Sequence, residues 1–208
     1  MQVLHLDSSI LDDASGSRAL SACIVAALLE HEPGAHVVYR DLVTEVIPHL
    51  DGPIAAGFRD LPIPSDDPRT AGEHVRSNEL VQELQASDVI VVGAPMYNFS
   101  VASQLKAWID RVMQPGKTFK YTPTGPIGLA GGKRVIVAST RGGVYTAGPM
   151  AALDFQEGYL KAALGFMGIT DMHFVRAESM SKGPESRTQA MDAARSTVNA
   201  TVRQALGA

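Results

Sequence analysis

The stretch that most constrains this chain is Asp88-Val89-Ile90-Val91-Val92-Gly93-Ala94-Pro95. It is β-branched and apolar without polar alternation, so it reads as a parallel strand covered on both faces. Pro95 has no N–H and ends the ladder. Past it comes Met96-Tyr97-Asn98-Phe99. Open α/β sheets bind ligands just beyond the carboxyl ends of their strands. Tyr97 and Phe99 offer flat apolar surface, and Asn98 an amide with donors and an acceptor. That chemistry suits a planar heteroaromatic ring with a hydrogen-bonding edge. It is equally compatible with aromatics that simply pack at a strand end.

The rest of the chain supplies partners for that strand. Val3–Leu6 and Ala35–Arg40 read as the first two strands, Lys133–Ser139 and Met172–Ala177 as the last two. Helical periodicity places Leu20, Cys23, Ile24, Ala27 and Leu28 on one face of a first helix, capped by Ser15 or Ser17. A second helix spans about 70–86, with Val75, Leu80, Val81 and Leu84 as its stripe. Others cover 102–113 (Leu105, Trp108, Ile109 and Val112), 154–167 and 184–206. Residues 41–69 carry Pro48, Pro53, Pro62, Pro64 and Pro68 and read as irregular. Residues 117–132 form a hairpin or an excursion over the sheet edge. Strand and helix alternate five times, which implies an α/β fold: a five-stranded parallel sheet, order 2-1-3-4-5, with helices on both faces. No linker divides the chain, so 1–208 is expected to be one domain.

Composition removes several function classes. A net charge of −4 is not the footprint of a nucleic-acid binder. No apolar run is long enough to span a membrane, and the polar start after a short apolar opening is no signal peptide. A cytoplasmic small-molecule protein fits this balance. The single cysteine, Cys23, excludes an internal disulfide and lacks neighbours at metal-ligand spacing; it reads as buried.

In a 2-1-3-4-5 sheet, the loops after strands one, three and four converge. The first holds Ser9, Ser15, Gly16 and Ser17 at a helix start, where hydroxyls, free N–H groups and the helix dipole attract an anion. Plain N-capping is the competing reading for each serine. The loop has neither the Gly-Lys pair of a Walker A motif nor a G-x-G-x-x-G fingerprint, which argues against ATP and a primary dinucleotide site. One phosphate plus a flat ring fits a mononucleotide such as FMN. The third loop, Thr140-Arg141-Gly142-Gly143, allows a backbone to approach a planar ligand. Arg141 is a candidate cation beside that ligand, a surface arginine or a partner-chain contact. His5 and His173 fall on strands and read as packed. Tyr145 is either near the ring or in the core.

These segments resemble the FMN-dependent NADH-azoreductase family of the flavodoxin-like NAD(P)H:quinone oxidoreductase group. The resemblance covers nearly the whole chain. It is carried by Leu6–Ser9, Ser15–Ser17, Ala94–Phe99, Gln104–Lys106, Gly116–Phe119, Thr140–Gly143 and Leu164–Ile169. It implies that Ser9, Ser15, Gly16 and Ser17 bind the FMN phosphate. Met96, Tyr97, Asn98 and Phe99, with Thr140, Arg141, Gly142 and Gly143, would hold the ring and ribityl chain. It also implies a homodimer, with Tyr121 and Phe166 lining the substrate side across the interface. Thr140 stands where a serine is common, and Gly16 where a larger polar residue is common. The implied reaction is ping-pong. NADH or NADPH reduces FMN and leaves; a quinone or an aromatic azo compound then takes two electrons, and an azo bond needs two cycles to become two amines. The flavin carries the chemistry, so no side chain is assigned as catalytic. The competing readings are a flavodoxin-like electron carrier without its own NAD(P)H oxidation and a flavin-free interaction domain.

Overall fold

A computed structural model describes residues 1–59, 61 and 67–207. Five parallel strands form one sheet: β1 (Gln2–Asp7), β2 (His36–Asp41), β3 (Val89–Pro95), β6 (Arg134–Thr140) and β7 (Asp171–Ala177), in the order β2-β1-β3-β6-β7. This is the expected 2-1-3-4-5 order, renumbered by one insertion. Residues 117–132 supply it: β4 (Phe119–Thr122) and β5 (Gly125–Gly128) pair as an antiparallel hairpin. The helices are α1 (Gly16–His31), α2 (Gly52–Gly57), α3 (Pro68–Ala86), α4 (Ser103–Val112), α5 (Phe155–Phe166) and α6 (Pro184–Leu206).

β3 is buried along its whole length. Its side chains alternate faces with the period of two that a strand imposes. Ile90 and Val92 join Leu4, Leu6, Val135 and Val137 in a core against α3, α4 and α5. Val89 and Val91 join Val3, Ile136, Ala138 and Val175 in a core against α1 and α6. A run with no polar position is what two covered faces require. Gly93 has its own reason: an added Cβ would collide with the Asp7 carboxylate on neighbouring β1.

Three expectations need correction. Residues 41–69 are not wholly irregular. Asp51 caps the short α2, and Asp67 caps α3 just ahead of Pro68, so two of the prolines open helices rather than forbid them; Pro62 and Pro64 lie outside the described residues. Val75 is 58% exposed and not on the buried stripe. The inward face of α3 carries Glu73 and Ser77 instead, because buried Arg111 of α4 donates to Glu73 Oε2 and to Ser77 Oγ, both at 2.9 Å. Cys23 is half-buried. Among the described residues, no helix is long and apolar enough to cross a membrane.

Candidate functional site

The first loop meets α1 at Ser15, whose Oγ accepts from the Arg18 N–H at 3.2 Å and lies 3.1 Å from Ser17 Oγ. Ser15 is thus an N-cap, as the plain reading holds, and still part of a donor cluster. Gly16 and Ser17 occupy the first two helical positions, where N–H groups have no acceptor within the helix. A Cβ on Gly16 would stand 2.5 Å from Met180 Cε, so Met180 fills the space a larger side chain would need. Arg18 does not face this anion site as a free charge. It donates to Ser9 O at 3.2 and 2.9 Å and grips Asp41 at 3.0 and 2.7 Å. The Asp41 hydrogen bond holds the Arg18 pKa above its ordinary value against the opposing effect of burial. The site therefore offers hydroxyls, backbone N–H groups and a helix dipole, with its cation already neutralised.

The second loop touches the first: Ser9 Oγ lies 3.2 Å from the Tyr97 hydroxyl, which also accepts from Ile10 N–H at 3.3 Å. Tyr97 and Ser100 exchange backbone hydrogen bonds, both 3.0 Å, closing a tight turn. Inside it Asn98 (φ 47°) and Phe99 (φ 72°) are left-handed. Asn tolerates that conformation, whereas for Phe it costs about 1–2 kcal/mol and persists only where surroundings enforce it. Phe155 N–H, donating to Phe99 O at 3.1 Å, is one such restraint. Phe99 is 40% exposed and Asn98 is exposed, so neither packs in the core. A cavity of about 750 Å³ opens here, lined by Ile10, Met96, Tyr97, Asn98, Gln104 and Lys106 among others.

The third loop joins the second through Met96 N–H to Thr140 O at 2.8 Å. Arg141 is 1% exposed and spends its charge inside the chain. Its guanidinium is buried and turned inward, bonded to Asp154 (2.9 Å), Glu157 (2.6 Å) and Glu178 (3.2 Å). A strap after β7 grips the loop from behind. The N–H groups of Ser179, Met180 and Ser181 donate to the carbonyls of Gly143, Arg141 and Gly142 at 3.0–3.1 Å. Glu178 accepts from Tyr145 N–H (2.7 Å), Thr146 N–H (3.0 Å) and the Thr146 hydroxyl (2.6 Å). Gly142 lies so near the strap that an added Cβ would be 2.8 Å from Ser181 Oγ. With their carbonyls held by the strap, Gly142 and Gly143 keep N–H groups that meet no acceptor among the described residues. Tyr145 stands edge-on to Phe99 at 6.3 Å, beside the second loop.

This network makes stability acid-sensitive. Burial pushes the Glu157 carboxyl up, but its hydrogen bonds from Arg176 and the charges of Arg141, Arg176 and Lys161 outweigh burial and hold it low. Burial also opposes ionisation of Glu178, and Thr146, Tyr145 and Arg141 overcome it. A carboxyl with a depressed folded pKa stabilises the fold above its unfolded value of about 4.3 and loses that stabilisation as pH falls through the folded value. Urea midpoints are expected to fall progressively below pH 4.3 in the wild type. Glu178→Gln, which keeps the acceptor oxygen but cannot ionise, should flatten that fall; an unchanged slope would remove Glu178 from the effect.

Tyr121 and Phe166 lie elsewhere. They line a second cavity of about 730 Å³ with Phe58, Arg59, Met113 and Phe119, which shares no lining residue with the first. Phe119 links them, its ring 4.8 Å from Phe166 and 5.5 Å from Tyr121. The fold thus brings the three serines, the Met96–Phe99 turn and the Thr140–Gly143 loop together, but not the two aromatics. His5 is packed, 3.0 Å from Ser21 Oγ. Sequence reading assigned no part in the site to Arg18, to the Glu178–Ser181 strap or to the first turn of α5. The strap's signal was a polar segment, Glu178-Ser179-Met180-Ser181, just past a strand's carboxyl end.

A family profile described as a flavodoxin-like fold matches residues 1–202. The FMN-dependent NADH:quinone oxidoreductase of Ralstonia nicotianae is 65% identical over 208 residues, the full length of both chains. The FMN-dependent NADH:quinone oxidoreductase 2 of Xanthomonas euvesicatoria pv. vesicatoria is 58% identical over 98% of this chain and 94% of its own. Among solved structures, the azoreductase of Bacillus anthracis superposes with a TM-score of 0.88 at 26% identity, covering 98% of this chain and 99% of its own. The chain belongs to the flavodoxin-like fold family, in the group of the FMN-dependent NADH:quinone oxidoreductases and azoreductases.

Proposed function

We propose that residues 1–208 act as one flavodoxin-like FMN-binding domain of a cytoplasmic homodimer that oxidises NADH, or NADPH, and reduces quinones and aromatic azo compounds. The observation that carries this reading is the junction of three loops: Ser9 against Tyr97, Met96 against Thr140, and outward donors left on each. These residues fit FMN. Ser9, Ser15, Ser17 and the first N–H groups of α1 suit a phosphate. The Asn98 amide and the N–H groups of Gly142 and Gly143 suit the polar edge of a planar ring, and Tyr97 and Phe99 its flanks. Bound FMN supplies the two-electron chemistry between NAD(P)H and acceptor. The chain's own task is to bind, to orient and to aim fixed N–H dipoles where negative charge develops. Steady-state NADH oxidation with a benzoquinone acceptor tests the reading; an FMN-loaded protein that reduces neither a quinone nor an azo dye would refute it.

Asn98→Leu is expected to weaken FMN binding by about 1–3 kcal/mol, because the ring edge loses its partner. It also puts a γ-branched side chain at a left-handed φ. A fluorescence titration with unchanged affinity would take Asn98 out of the site. The separation of the two cavities supports the homodimer. If Tyr121 and Phe166 serve the acceptor, they reach the loops of a second copy. Activity per chain should therefore fall on dilution below the dimer dissociation constant, and constant activity from a sedimentation-proven monomer would contradict this.

A further inference from the structure

The residues that fix the two ring-facing loops relative to each other sit together at the start of α5. Asp154 accepts from Arg141 Nη2 at 2.9 Å, Phe155 N–H donates to Phe99 O at 3.1 Å, and Glu157 accepts from Arg141 Nη2 at 2.6 Å. Between them is Gln156, fully buried. Its Nε2 donates to Ala94 O at 3.0 Å. Its Oε1 accepts from Ser139 Oγ at 3.0 Å and from Arg141 Nε at 3.3 Å. Ala94 lies two residues before Met96 on β3, and Ser139 directly precedes Thr140 on β6. One amide therefore bridges the last turns of both strands, each within two residues of a loop that faces the candidate ring site.

We infer that Gln156 is a positioning residue for the flavin, setting the spacing between the Met96–Phe99 turn and the Thr140–Gly143 loop. This rests on the proposed FMN site. Gln is suited to the task because it presents a donor and an acceptor in one rigid plane. Glu keeps acceptors for Ser139 and Arg141 but opposes the Ala94 carbonyl with a second acceptor. Met fills a similar volume and offers none of these hydrogen bonds. The strand ladder keeps β3 and β6 paired in any of these variants. What changes is the placement of the loops beyond it. Fixed N–H dipoles stabilise charge only at the position for which they are preorganised, so displaced Gly142 and Gly143 should favour the reduced cofactor less.

The test compares wild type, Gln156→Met and Gln156→Glu with Val198→Ala, a core truncation on α6 on the opposite side of the sheet. Four quantities are read: thermal midpoint, FMN dissociation constant, visible spectrum of the bound flavin and its midpoint potential. Both Gln156 variants are expected to weaken FMN binding about tenfold and to shift the visible bands. They should also bind reduced FMN about tenfold less selectively, lowering a two-electron potential by about 30 mV. Val198→Ala should lower the thermal midpoint while leaving the flavin readouts in place. If Gln156→Met does not fold, Gln156→Glu carries the comparison. Gln156 variants that lose thermal stability but keep affinity, spectrum and potential would make the residue merely structural and overturn the inference. A wild type that binds no FMN would instead overturn the proposed function on which it rests.

Discussion

Arg141→Met is expected to destabilise the fold by about 3–5 kcal/mol, the cost of leaving buried Glu157 and half-buried Asp154 and Glu178 without their shared cation. Asp154, Glu157 and Glu178 all converge on this one guanidinium, and Arg176 reaches only Glu157 among them. Against a typical domain stability of about 5–15 kcal/mol, such a loss brings a chain close to unfolding at neutral pH. The site should suffer as well, because Arg141 anchors the loop that carries Gly142 and Gly143. Urea unfolding of the flavin-free protein reads the first effect and FMN titration the second. Adding Glu178→Gln to Arg141→Met should recover part of the stability, since one uncompensated charge is removed while its acceptor oxygen remains. The two changes would then be non-additive, as expected of groups in contact. A loss below about 1 kcal/mol, the worth of an exposed ion pair, would mean that the cage is solvated and does not brace the loop.

Gly128→Ala is expected to have the next largest effect, and on a different property. Glycine is needed here by close approach alone. An added Cβ would run into backbone atoms of Met167 and Gly168 at the end of α5, with no flexible side chain able to yield. The hairpin is docked there by Ala130 N–H to Met167 O at 2.9 Å. Opening this contact costs about 1–3 kcal/mol by the measure of overpacked cores. It also moves β4, which carries Phe119 and Tyr121, relative to Phe166. The proposed FMN site lies on loops elsewhere, so FMN binding should be retained. The expected signature is a normal FMN dissociation constant with a KM for quinone raised several-fold. A variant that loses FMN affinity but keeps its quinone KM would place the hairpin on the cofactor side instead.

The sheet was legible because two covered faces leave an unmistakable trace, the unbroken Val89–Val92 run. The convergence of the three candidate loops was legible because small, hydroxylated and aromatic residues follow three strands that the topology makes neighbours. What escaped did so for identifiable reasons. α2 spans six residues, too short for periodicity, and is fixed by tertiary contact: His74 Nε2 meets Ile54 O at 3.1 Å. Val75 seemed to belong to an apolar stripe because the true inward face of α3 includes Glu73 and Ser77, whose partner Arg111 is more than thirty residues away. The inward pairing of Arg141 was not legible beside two glycines, because its carboxylate partners are 13, 16 and 37 positions distant. Long-range pairing of buried charge leaves no local pattern, and it decides how the third loop is held.

The central claim, that three strand-end loops form an FMN site reduced by NADH, is tested most directly by the visible spectrum of the purified protein before and after anaerobic NADH addition. The expected result is a yellow flavin band that bleaches promptly with NADH or, if the enzyme selects it, with NADPH. A flavin band that persists with both nucleotides would point to an electron carrier. A protein that stays colourless after incubation with FMN would contradict the site itself.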